Sequence, residues 1–118
     1  PLYWGDMRPM EWPEQDYLVI DDDVEIGPGI FVLMAPGHAP GQIAVMVDLP
    51  SGAILLTSDA ISRPAEIDEK FAGSWDEDAA IASADRLMRL ASERDAFVIY
   101  GHCPSQWLVL KKAPEVYN

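Results

Sequence analysis

The chain has 118 residues, room for one domain with a modest core, and its 49% hydrophobic and 24% charged residues are an ordinary soluble globular composition. Eight basic against twenty acidic residues give a formal net charge of −12, which argues against nucleic acid or an anionic membrane as a partner and is compatible with cation binding. One cysteine, Cys103, excludes an internal disulfide and leaves the redox compartment open, and the apolar runs are too short for a membrane span; no signal peptide is visible, and on that ground the cytoplasm is the expected compartment.

Residues 1–15 mix Trp4, Trp12, Tyr3 and two methionines with Pro1, Pro9 and Pro13. The prolines prevent a long regular helix, so an irregular aromatic arm is expected, either packing on a core or lining a pocket. Tyr17 to Ile20 reads as a strand. Asp21-Asp22-Asp23 resembles a calcium loop but lacks the alternating oxygen ligands and distal glutamate of one; it reads as a polar hairpin turn before Val24-Glu25-Ile26. Gly27-Pro28-Gly29 is a second turn, and Ile30 to Met34 is an apolar run expected to be buried on both faces.

The next turn, Pro36-Gly37-His38-Ala39-Pro40-Gly41, brackets one histidine between two prolines and two glycines. Such a loop is rigid and sharply bent, a good mount for a metal ligand or catalytic group, although a histidine can also simply hydrogen-bond in a turn. Ile43, Val45 and Val47 share one face of the following strand. Leu49-Pro50-Ser51-Gly52 turns the chain into Ala53 to Thr57, a second buried strand ending in Ser58-Asp59. Asp59 stands where the strand leaves the core, in a functional role or as an Asx-turn or cap.

Ala60 to Gly73 reads as a loop. Ser74-Trp75-Asp76-Glu77 has the form of a capping box, with Asp76 as a rival N-cap, and a helix is predicted from about Trp75 or Glu77 to Arg94. Its apolar face is Ala80, Ile81, Ala84, Leu87, Met88 and Ala91, so it covers a sheet, with its charges towards solvent. Ala96 to Tyr100 reads as a third buried strand, followed by Gly101-His102-Cys103-Pro104; Leu108 to Leu110 is a candidate last strand. The chain's only two histidines thus both follow a glycine after an apolar strand, and Asp59 ends the strand between them. Three polar groups at the exits of three strands point to one edge of a sheet.

Three motifs, PGHAPGQ at 36–42, LLTSDA at 55–60 and IYGHC at 99–103, resemble the second half of the metallo-β-lactamase fold, most closely its N-acyl homoserine lactonase branch. The resemblance implies an α+β fold: one mostly antiparallel, mixed sheet with a covering helix over about residues 75–94, half of an αββα sandwich. Residues 1–118 would form a single domain, an arm over 1–15 and the half-fold over 16–118. His38 would bind one zinc ion, His102 a second, and Asp59 would bridge both and act in catalysis. Two such ions activate water for attack on a lactone, ester or amide.

The chain departs from that pattern in ways that matter. The family's H-x-H-x-D-H signature is absent, so three ligands remain of a larger set and a two-metal site cannot be completed within this sequence. The tyrosine expected three residues after the bridging aspartate is Ser62, and the aspartate after the last histidine is Cys103, either a substitute ligand or an inert small residue. One helix covers only one face of an apolar sheet, so the other face is expected to meet a second copy, a separate N-terminal half, or the aromatic arm. Two functions follow: half of a zinc-dependent hydrolase, inactive alone, or a non-catalytic dimeric scaffold or binding module with relic ligands. A Ser–His–Asp hydrolase using Ser58 or Ser105 lacks a G-x-S-x-G motif.

Overall fold

The computed structural model describes Asp16 and residues 18–118. The aromatic arm and Tyr17 lie outside the described residues. Strands β1 (Val24–Gly27), β2 (Ile30–Met34), β3 (Ile43–Leu49), β4 (Gly52–Leu56) and β5 (Phe97–Ile99) form one sheet in sequence order. The first three pairings are antiparallel and β4–β5 is parallel, so the sheet is mixed and the fold is α+β, as the sequence predicts. Helices α1 (Ala65–Asp68), α2 (Glu77–Glu93) and α3 (Pro104–Trp107) complete it. The antiparallel strands need only tight turns, whereas the parallel return needs a crossover, supplied by the segment carrying α2.

The hairpin turns fall where Pro and Gly place them. Pro28-Gly29 joins β1 to β2, with Gly29 at φ 72°, and Pro50-Ser51 joins β3 to β4. Helix α2 starts at Asp76, whose carboxylate accepts a hydrogen bond from the Ala79 amide at 2.9 Å, so Asp76 and not Ser74 is the cap. Glu77 and Asp78 place negative charge at the positive end of the helix. The far end closes with Ala96 N–H donating to Ala91 O and Asp95 N–H to Ser92 O, a Schellman arrangement with Asp95 left-handed at φ 48°.

The core lies between α2 and one sheet face. Leu33, Ala35, Ala44, Met46 and Leu55 pack with Leu87 and Ala91. A second cluster of Ile61, Phe71, Ala80 and Ala84, flanked by Ile67, Ile81, Met88 and Tyr100, sits under the segment between β4 and α2. Two polar groups of α2 also work inward. Ser83 Oγ donates to Pro36 O at 2.7 Å, and Arg86 bonds Asp23 and Met34 O.

The other sheet face is apolar in ranks. Ile30, Val47, Ile54 and Phe97 are cross-strand neighbours, as are Val32, Val45, Leu56 and Ile99, with Met34 beside Ile43. It is less buried than the sequence suggests: Ile43 and Leu56 are each 38% exposed and Phe97, on the edge strand, 45%. Among the described residues no helix packs over it.

Four local expectations are corrected. Residues 18–20 form no strand, and Leu18 and Val19 are exposed. Asp23 is not in a hairpin turn: it accepts from the Met34 amide at 2.8 Å and pairs with Arg86, tying the start of β1 to the helix. The loop after Asp59 contains helix α1, propped by Arg63 forking onto the Glu69 carboxylate at 2.9 and 2.6 Å. Leu108 to Leu110 form a turn after α3, because Pro104 in the first turn starts a helix there.

Candidate functional site

Each strand exit holds its polar residue by backbone contacts. His38 sits in a loop pinned to α2 on three sides. Pro36 O takes the Ser83 hydroxyl, Gly37 O takes the Asp76 amide at 3.0 Å, and Gly37 Cα faces the helix backbone. A Cβ at Gly37 would lie within 2.6 Å of Ala80 Cβ and nearer its backbone, and φ there is 141°, so only glycine fits. The His38 side chain is exposed and, among the described residues, its ring has no hydrogen-bond partner, so it is not a histidine bonded within its turn.

Asp59 follows β4 in a single 3-10 turn, Ser58–Ala60. Ser58 is left-handed at φ 51°, a costly backbone state for a residue other than glycine. Buried Thr57 anchors the turn: its hydroxyl donates to Ile61 O at 2.7 Å and its amide to Ile99 O at 3.0 Å. The neighbouring chain then presses close. A Cβ at Gly101 would lie 2.7 Å from the Ser58 carbonyl carbon and nearer still to its oxygen. Both glycines that precede a histidine are therefore points where two backbones touch.

His102 is held twice by the segment after Asp59. Its amide donates to Ser62 O at 2.8 Å, and its ring Nε2–H donates to Asp59 Oδ1 at 2.7 Å. The pair is open to solvent, with the His102 side chain 72% and Asp59 39% exposed. His38 and Asp59 line one cleft of about 170 Å³, together with Arg63, Glu66, Glu69 and Phe71. His102 also lies on the wall of a more open, mainly apolar hollow of about 510 Å³, with Tyr100, Trp107, Leu108 and Leu110. The structure thus links all three residues, His38 to Asp59 through the cleft and Asp59 to His102 directly.

Residues 2–102 match the metallo-beta-lactamase superfamily. The chain belongs to that superfamily. It is similar to the N-acyl homoserine lactonase of Bacillus cereus, 33% identical over 106 residues, covering 87% of this chain and 42% of the relative. It is also 38% identical over 91 residues to the N-acyl homoserine lactonase AttM of Rhizobium radiobacter, covering 72% of this chain and 34% of that protein. Among solved structures, an N-acyl homoserine lactone hydrolase with N-hexanoyl-L-homoserine bound at its catalytic metal center superposes with a TM-score of 0.79 at 28% identity, over 87% of this chain and 42% of the other. The dizinc quorum-quenching lactonase AidC shares the fold at a TM-score of 0.59 and 22% identity, over 80% of this chain and 34% of that one. This chain spans less than half the length of these relatives, and its sheet and helix correspond to one half of the fold.

The donor types suit zinc: two imidazoles and a carboxylate. Among the described residues no three His, Cys, Asp or Glu side chains converge as a metal-holding group, and Asp59 and His102 are bonded to each other. Cys103 does not join them; its thiol lies 3.4 Å from Ser105 Oγ. That hydroxyl, then the Gln106 amide, pull the thiol below its ordinary range, while burial acts weakly against them. Burial, then the negative charge available at Cys103, push the Tyr100 phenol up.

Sequence reasoning missed Glu66. Its Oε2 accepts the Ser62 amide at 2.7 Å, and it lines the cleft. The available signal was a glutamate in the first turn of a short helix, four residues after the amide its carboxylate accepts, a spacing that a capping box does not have. Glu77 does the same for the amide of Gly73, a cleft-lining residue, at 2.9 Å.

Proposed function

We propose that this chain is the C-terminal half of a zinc-dependent hydrolase of the lactone or ester type, and that it supplies His38, Asp59 and His102 to a site that a second half completes. The observation that carries this reading is the placement of those three residues at the same end of the sheet, after β2, β4 and β5: two share a cleft and the third is bonded to Asp59. The likeness to N-acyl homoserine lactonases, at about a third identity, supports an acylated lactone as the substrate class. Three donors do not close a two-metal site, so the isolated chain is inactive. The second apolar face, where Ile43, Leu56 and Phe97 are exposed while Val32 and Ile54 are buried, supports the same conclusion, because a sheet with both faces apolar requires a layer on each. That layer is a complementary N-terminal half bearing H-x-H-x-D-H, with a second copy of this chain as the alternative occupant.

The test is complementation. The 118-residue chain is assayed alone and after co-expression with the first half of a lactonase relative. Bound zinc is counted by elemental analysis and lactone opening is followed by proton release. The expected result is turnover and stoichiometric zinc only in the reconstituted pair. Turnover with stoichiometric zinc by the chain alone would overturn its incompleteness. A zinc-loaded pair that opens no lactone or ester would overturn the hydrolase reading in favour of a scaffold.

A further inference from the structure

We infer that Glu66 is a positioning residue for the Asp59–His102 pair, acting through the backbone of Ser62. It rests on the reading above in one respect, that His102 is a site residue.

The connection is continuous. Glu66 Oε2 accepts the Ser62 N–H at 2.7 Å, Ser62 O accepts the His102 N–H at 2.8 Å, and His102 Nε2–H donates to Asp59 Oδ1 at 2.7 Å. Residues 59–62 therefore grip His102 at both its main chain and its ring, and one carboxylate fixes the distal end of that grip. The opposite end is fixed by Thr57 and by the Gly101–Ser58 contact.

Glu66 is itself held. It lies in α1, where its amide donates to Arg63 O at 3.1 Å and its carbonyl accepts from the Phe71 amide at 3.1 Å. The next residue, Ile67, packs against the cluster of Ile61, Phe71, Ala80 and Ala84. Phe71 is buried with φ 55°, so the turn that ends α1 is locked by packing. The carboxylate is thus presented from a braced turn to an amide that no strand partner serves. A carboxylate–amide hydrogen bond is charge-assisted and stronger than a neutral one. Without it, the Ser62 amide is left without its acceptor; Ile61 O still accepts from the Thr57 hydroxyl at 2.7 Å and the Gly101 amide at 3.4 Å, so the near side of the grip holds while its far side, Ser62 O on the His102 amide, loosens.

The test uses the full chain and needs neither metal nor substrate. Backbone amide exchange is measured by NMR for Ser62, His102 and, as a reference inside the core, Leu87. The His102 ring is followed by its nitrogen shifts, with only two histidines to assign. Glu66→Ala is expected to speed exchange at Ser62 and His102 about tenfold, the loss of one charge-assisted hydrogen bond, and to move the His102 Nε2 signal. Leu87 stays unchanged. Glu66→Gln retains an acceptor oxygen and is expected to restore His102 to within about threefold of the parent. Unchanged exchange and ring shifts in Glu66→Ala would overturn the assignment. So would parallel loss at Leu87, which makes Glu66 a fold residue, or a Glu66→Gln variant as disturbed as Glu66→Ala. If the complementation experiment fails while these signals move as expected, the hydrolase reading falls and the positioning role stands.

Discussion

Gly101→Ala tests how the site is assembled. The new Cβ would sit 2.7 Å from the Ser58 carbonyl carbon, whereas ordinary contacts begin at 3.4 Å, so the two backbones must part by at least 0.7 Å. The opposing atoms are main chain and cannot swing aside. Forcing such a contact costs about 1–3 kcal/mol, and the rigid partner puts this case near the top of that range. Reduced freedom of the unfolded chain returns about 0.4–1 kcal/mol. The net loss is about 2 kcal/mol, which lowers the melting midpoint of a domain this size by about 8 °C. The same movement carries Asp59 away from His102 and stretches a 2.7 Å hydrogen bond beyond about 3.2 Å, the limit of a good one. Gly41→Ala is the internal control: nothing lies within 4 Å of its Cβ and its backbone is not left-handed, so only the unfolded-state term acts. It is expected to gain about 0.4–1 kcal/mol. Urea unfolding and the His102 ring signal read both effects. A Gly101→Ala chain that matches Gly41→Ala in stability, or that loses stability with the Asp59–His102 bond intact, would refute the reasoning.

Three further outcomes are expected. Asp76→Ala removes the cap of α2 and costs about 1 kcal/mol in urea unfolding, while Asp76→Asn stays near the parent. Burial raises the Asp23 carboxyl, but the Arg86 hydrogen bond, the Met34 amide and the Arg86 charge outweigh it and hold the group below its ordinary range. A carboxylate depressed on folding adds stability above its unfolded value, near pH 4, and loses it as pH falls through the folded value; Asp23→Asn should flatten the stability profile below about pH 4 and leave its shape at pH 6–8 unchanged. Leu56→Lys, on the apolar face, should leave the circular dichroism of the chain intact but abolish assembly with a complementary half in light scattering; assembly that survives the charge would place the partner elsewhere.

Much of the fold is legible in the chain because its signals are local. Pro28-Gly29, Pro50-Ser51 and the Gly37-His38 loop are set by dihedral preferences, and the α2 stripe by a period of 3.6. His38, Asp59 and His102 are legible for a related reason: a polar residue after an apolar run marks the point where a strand leaves the core. The misreadings lie where a tertiary contact competes with a local pattern. Val19 and Leu18 have strand propensity but no neighbour to pair with among the described residues. Asp23 looks like turn chemistry until Arg86, 63 positions away, brings a guanidinium to it.

Strand β3 shows the division most clearly. By itself the sequence determines that residues 43–49 alternate in two sets, that a helix of small and apolar residues follows, and that glycines precede both histidines. It points to the wrong set for the helix, because Ile43, Val45, Val47 and Leu49 are all apolar while Ala44 and Met46 share their face with Asp48. Packing decides: Ala44 and Met46 are buried with Leu87 and Ala91, while Ile43, Val45 and Val47 face away. Small side chains let helix and sheet approach closely, so the less hydrophobic-looking set is the more deeply buried. Likewise, spacing explains nothing about why Gly37 and Gly101 are glycine. Only the folded chain brings Ala80 and Ser58 against them, and with that contact sets the histidines in place.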